Sequence, residues 1–117
     1  MDEKGVSVKV ITWEGSLSVE QAVELKGILM EALDSYAQVV VSVSMLEGVD
    51  LSILQLMRSC ALEAHNRGKI FHLTGTVRKE LSRNLLSSGF IQKPRENARD
   101  LEEELFGLSL TPRHGAL

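Results

Sequence analysis

The chain has one cysteine, Cys60. A disulfide within the chain is therefore excluded, and because Cys60 falls inside an apolar helical pattern it reads as a small buried hydrophobe. Such usage fits a reducing cytoplasm. Positive charge is not in excess: 13 Lys and Arg stand against 16 Asp and Glu, a formal net charge of -3. The densest basic group, Arg78, Lys79 and Arg83, has Glu80 in its midst. Phosphate backbones need a clustered positive field, so nucleic acid is not expected as a partner. No apolar run approaches the ~20 residues of a membrane helix, so no direct membrane insertion is expected. Met1 to Lys4 is mostly charged, which is unlike a signal peptide, and a cytoplasmic location is expected. Internal repeats and low-complexity segments are missing as well.

Catalytic constellations are equally scarce. His65, His72 and His114 share no ligand-like spacing with Cys60 or with a carboxylate pair, so neither a metal nor a cofactor is expected. His72 reads as a sheet residue with a local hydrogen bond. Leu73-Thr74-Gly75-Thr76 carries one glycine, far from a phosphate-binding fingerprint, and Thr76 reads as an ordinary helix N-cap. Glu102, Glu103 and Glu104 are consecutive, so a helix splays them around its axis, as on a solvated face. No nucleophile is paired with a base, and an enzyme is not expected.

What is present alternates strand and helix. Val6 to Trp13 has a period of two, which predicts a strand that Gly15 ends. Ser18 and Gln21 form a capping-box signature for a helix bearing Ala22, Leu25, Leu29, Ala32 and Leu33 and finishing near Ser35. Gln38 to Ser44 predicts a second strand whose valines suit burial on both faces. A short loop, Ser44 to Val49, leads to Asp50, which caps a helix from Leu51 to about Asn66 with Arg67-Gly68 as its exit. Lys69 to Leu73 is a third strand, Val77 to about Leu86 a short helix, and Phe90-Ile91 a brief strand or a hydrophobic plug. After the break at Pro94, an acidic helix covers Ala98 to Phe106. Residues 108–117, with Pro112 and Gly115, read as a flexible tail. Crossover connections between strands imply a largely parallel sheet.

The turn at Gly15 with the helix after it, the Asp50 junction after the valine strand, and the later run from Gly68 to Phe90, together covering most of the chain from about Gly5 to Ile91, resemble the STAS domain, the fold shared by bacterial anti-sigma-factor antagonists and the cytoplasmic tails of sulphate transporters. Trp13-Glu14-Gly15-Ser16-Leu17, then Ala22, Leu25 and Lys26, is similar to that family's strand, Gly-x-Leu turn and first helix. The valine strand followed by Val49-Asp50-Leu51-Ser52-Ile53-Leu54-Gln55-Leu56 resembles its Asp-Ser-Ser-Gly-Leu loop and helix. Gly68-Lys69, the strand to Leu73, and Leu85 to Phe90 resemble its later half. The resemblance implies an α/β fold: a single STAS-like domain over residues 1–107, with a mostly parallel four-stranded sheet covered by about four helices.

It also implies a function. STAS antagonists bind a protein partner, an anti-sigma kinase, and the residue after the loop Asp is the serine that the kinase phosphorylates. Here that position is Leu51, so the usual switch is absent; Ser52 matches the second serine and is the candidate phosphorylation site, and Ile53 replaces the glycine. The expected partner-binding residues are Gly48, Val49, Asp50, Leu51, Ser52 and Gln55. The alternative is a subunit of a larger assembly, stressosome-like, chemosensory or lipid-transporting, which would self-associate as a homo-oligomer. Family members commonly open with a hairpin strand, yet only Met1 to Lys4 precede Gly5. Either that strand is very short or the sheet edge is left open.

Overall fold

A parallel sheet forms because each strand hands over to a helix that returns the chain to the sheet's starting end. The computed structural model describes residues 7–107. Within them the elements run β1 (Val8–Leu17), α1 (Val19–Ser35), β2 (Gln38–Val49), α2 (Leu51–Asn66), β3 (Ile70–Thr74), α3 (Lys79–Ser87) and α4 (Ala98–Phe106). The three strands make one parallel sheet in the order β1-β2-β3. The expected fourth strand is not found among the described residues. Ile91 is instead a buried plug in the connection from α3 to α4. Residues 1–6, where the first strand was expected to begin at Val6, and the expected tail at 108–117 with His114 lie outside the described residues.

Both long strands run further than periodicity suggested. Gly15 does not end β1: its positive φ of 72° accompanies register shifts between Thr12 and Glu14 and between Gly15 and Ser16, and pairing continues to Leu17↔Val49. Glycine in a strand pattern marks a bulge as readily as a stop, because it alone takes that conformation without strain. The expected loop from Ser44 to Val49 is consequently the second half of β2.

Val39, Val41 and Val43 are fully buried against the helices, while Val40 on the opposite face is only half-buried. The expectation of a sheet covered on both faces therefore fails among the described residues. The rows Val8-Gln38-Ile70, Val10-Val40-His72 and Thr12-Ser42-Thr74 form the uncovered face. Helices gather on the other side, where Leu29, Leu33, Ile53, Met57, Leu81, Leu85 and Leu101 build the core. Each such side chain contributes about 1.5–3 kcal/mol when fully buried. Cys60 lies in this core, and burial pushes its thiol up to about 12, so it stays protonated at neutral pH.

Helix starts and stops follow the sequence at α1, where Ser18 and Gln21 close the capping box, and at α2, which spans the expected residues. At α3 they do not. Thr76 is not the N-cap; it bridges Asn97, and the helix starts after Arg78, whose side chain makes no cap bond.

The acidic helix α4 also departs from a fully solvated face. Glu102 accepts the Leu73 backbone N–H at 2.8 Å and pairs with His72 at 3.1 Å. The His72 bond thus reaches across 30 residues and is not local. Glu104 accepts from the Gln92 backbone N–H and from Arg95 Nε, both at 2.7 Å. Partial burial pushes the Glu104 carboxyl up, but the Gln92 and Arg95 bonds outweigh it and hold the group below its ordinary value of 4.5. A carboxyl depressed in the folded state stabilises above its unfolded pKa and loses that contribution as pH falls through the folded one. Glu104→Gln is therefore expected to lower the melting temperature at pH 7, with the gap to the parent protein closing on acidification below about 4.5. Thermal melts from pH 7 to pH 3 check this.

Candidate functional site

The register of β1 and β2 ends on the pair Leu17↔Val49. One residue later each strand turns into a helix, at Ser18 and at Asp50. Paired strands lie ~4.8 Å apart, so the two helix N-termini are set side by side. Asp50 exploits this. Its Oδ1 accepts the Ile53 N–H of its own helix at 3.2 Å, and its Oδ2 accepts the Val19 N–H of α1 at 3.0 Å. Its backbone N–H donates to the Leu17 carbonyl at 3.3 Å. One carboxylate thus caps two helices and sits at the positive end of both dipoles.

The far ends of the same helices are fastened too. Arg67, at the exit of α2, contacts Asp34 of α1 at 2.6 Å and Glu63 at 2.8 Å. Lys69 Nζ donates to the Leu33 carbonyl near the end of α1. The pair α1–α2 is therefore joined at both ends.

The expected partner-binding residues divide sharply on this frame. Gly48 and Val49 are buried in β2. Gly48 rests against Asn84 and Ser16, and the Val49 N–H donates to Asn84 Oδ1 at 3.0 Å, so neither offers a side chain to a partner. Asp50 is half-buried and committed to its caps. Leu51 is the exposed one, 53% accessible at the first position of α2. Ser52 is half-buried and Gln55 exposed; both line the groove between α1 and α2 together with Lys26 and Val23.

Three residues of the site were missed in the sequence. Val19 and Val23 of α1 are 62% and 84% exposed, which brings apolar surface up to the groove. Neither belongs to the apolar face that the sequence pattern marks on α1; the Val19 N–H meets Asp50 and Val23 lines the groove with Ser52 and Gln55 only because the two helices start side by side. Asn84 has no sequence signal at all, since its bond to Val49 is made from α3. On the other side of α2, a second groove of about 200 Å³ is lined by Leu51, Leu54, Gln55, Arg58, Phe90 and Leu105. Arg58 crosses its rim to donate to the Phe106 carbonyl at 3.2 Å.

The arrangement sets the exposed Leu51 beside a carboxylate whose two oxygens cap two helices. Both Asp50 oxygens are spent on backbone N–H groups, which leaves no free base beside Ser52. Among the described residues no group of three or more His, Cys, Asp or Glu could hold a metal ion, and no helix is long and apolar enough to cross a membrane. Compared with known proteins, the chain matches no protein-family model and no curated protein.

Proposed function

We propose that this chain is a regulatory protein-binding module of the STAS type, acting in bacterial signal transduction and transcription control by docking an anti-sigma kinase or similar partner at the Asp50 junction. The observation that carries the reading is Leu51: an exposed apolar side chain at the start of a helix that Asp50 caps, while the same carboxylate accepts the N–H of Val19, itself exposed, at the start of α1. Apolar surface gains about 25 cal/mol for each Å² removed from water, and a side chain on a capped helix brings little backbone entropy to lose on binding.

In the switchable relatives, phosphate at the position of Leu51 brings close to two negative charges into the contact and disrupts it by repulsion and desolvation. Leucine accepts no phosphate. Binding here is accordingly constitutive with respect to that position.

Leu51→Asp supplies the missing charge, and it is expected to weaken partner binding at least tenfold, about 1.4 kcal/mol. Stability is expected to change by less than about 0.5 kcal/mol, because an acidic residue suits the first turn of a helix. The measurement is affinity capture from the source cells with the parent protein, Leu51→Asp and His65→Ala, which lies exposed near the far end of α2. A kinase-like protein retained by the parent and His65→Ala but lost with Leu51→Asp supports the reading. A partner held equally by all three removes the junction from the interface.

A further inference from the structure

The two edges of the sheet are finished differently. At β3 the Ile70 N–H donates to Ala37 of the β2 side, so the alternate residues Phe71 and Leu73 point their backbone groups outward. Glu102 of α4 accepts the outward Leu73 N–H and stops that edge. At β1 the Ser7 carbonyl accepts from Gln38, which turns Ser7, Lys9 and Ile11 toward β2 and leaves the N–H and C=O groups of Val8, Val10 and Thr12 pointing away from the sheet. Among the described residues nothing pairs with them. This stretch precedes the first register shift, contains no proline, and carries its exposed side chains Val8 and Val10, 46% and 59% accessible, on the uncovered face.

Native sheets protect such an edge with charge, proline or a bulge. Here the bulges come later, the one charge in Val8–Thr12, Lys9, lies on the helix side with its Nζ 5.9 Å over the Tyr36 ring, and Val8 and Val10 are the exposed side chains on the uncovered side. α1 packs over β1 and β2. Ile28, 40% exposed, lies about 200° round that helix from Lys26, which faces the α2 groove, and so stands on the flank above the edge.

We infer that the β1 edge is a homodimer interface, in which Val8–Thr12 pairs antiparallel with the same segment of a second copy about a two-fold axis at Val10. The inference goes beyond the partner-binding reading and uses a different surface. The segment is self-complementary in this register. Val10 faces the partner's Val10, and Val8 faces the partner's Thr12, which are favourable β-branched pairs. Lys9 faces the partner's Ile11, so no like charges oppose each other; centring the axis on Lys9 would put two lysines in register. All three outward residues then fall at hydrogen-bonded positions, giving about six backbone bonds between copies. The interface, with the Ile28 flanks, buries on the order of 800 Å², which makes the dimer weak and reversible.

The dimer is tested by sedimentation of the full chain from micromolar to millimolar concentration, together with cysteine cross-linking. The mass is expected to rise toward twice the monomer, and Val10→Lys is expected to weaken association at least tenfold while the buried Trp13 keeps its native fluorescence. Hydrogen-bonded antiparallel partners have Cα atoms ~5.5 Å apart, within disulfide reach. Val10→Cys is therefore expected to cross-link to itself under mild oxidation and Val8→Cys not, whereas Val8→Cys mixed with Thr12→Cys does. Cys60 is buried and does not compete. A monomer at every concentration overturns the inference, as it would if residues 1–6 of the same chain occupied the edge. Cross-linking of Val8→Cys to itself as fast as Val10→Cys overturns the register.

Discussion

Asp50→Ala is expected to lower the unfolding free energy by about 2–3 kcal/mol, roughly twice the loss of an ordinary N-cap. The reason is the double duty of the side chain. Removing it frees the Ile53 N–H of α2 and the Val19 N–H of α1 together, and withdraws a negative charge from two helix N-termini. Ser18 does not compensate, because it already serves its own helix through the Gln21 box. Asp50→Asn keeps one carbonyl oxygen and is expected to recover about half of the loss. Urea denaturation followed by Trp13 fluorescence measures both variants, since Trp13 is buried and is the single tryptophan. A loss of about 1 kcal/mol or less for Asp50→Ala would mean that the Val19 bond contributes nothing.

Gly75→Ala is expected to cost about 3 kcal/mol. A Cβ at this position would lie 2.2 Å from Ser44 Oγ and 3.3 Å from the Ser44 backbone nitrogen. The Ser44 hydroxyl can rotate away, giving up its 3.3 Å contact with Ser42. The backbone cannot follow so easily: Gly75 has φ of 104°, a conformation that costs a side-chain-bearing residue roughly 1–3 kcal/mol. Its carbonyl also accepts the Ala98 N–H at the start of α4. Adding Ser44→Ala removes the overlap and leaves the φ strain, so the double variant is expected to regain about 1 kcal/mol. Full recovery in that cycle would assign the whole cost to the hydroxyl.

The two substitutions mark where local pattern suffices and where it fails. That Asp50 caps α2 is legible from an Asp placed before an apolar helical run. That it also caps α1 depends on strands β1 and β2 ending in register, a fact about residues more than thirty positions apart. Gly75 likewise reads as a turn residue, yet the contact that excludes a side chain comes from Ser44 on β2.

The same division runs through the glycines and glutamates. Gly15 looks like a strand terminator because local sequence cannot distinguish a stop from a bulge; the continued pairing of Ser16 and Leu17 with β2 decides it. Glu102 and Glu104 look like solvated positions because splaying around a helix is all that consecutive spacing shows. Where the helix docks, they meet the free N–H groups of Leu73 and Gln92, which had no other acceptor.

By itself the sequence determined the α/β class, the extents of α1 and α2, the buried identity of Cys60, and Leu51 at the start of a capped helix. These follow from periodicity, capping chemistry and composition, which act over one or two turns of chain. Tertiary structure alone decided that, among the described residues, the sheet has three strands and one uncovered face, that Gly48 and Val49 are buried, and that Val19 shares the Asp50 cap while Val23 lines the groove beside Ser52. Each of these is a question of which segment lies beside which, and that is fixed by long-range register and packing, whose energy no short window of residues contains.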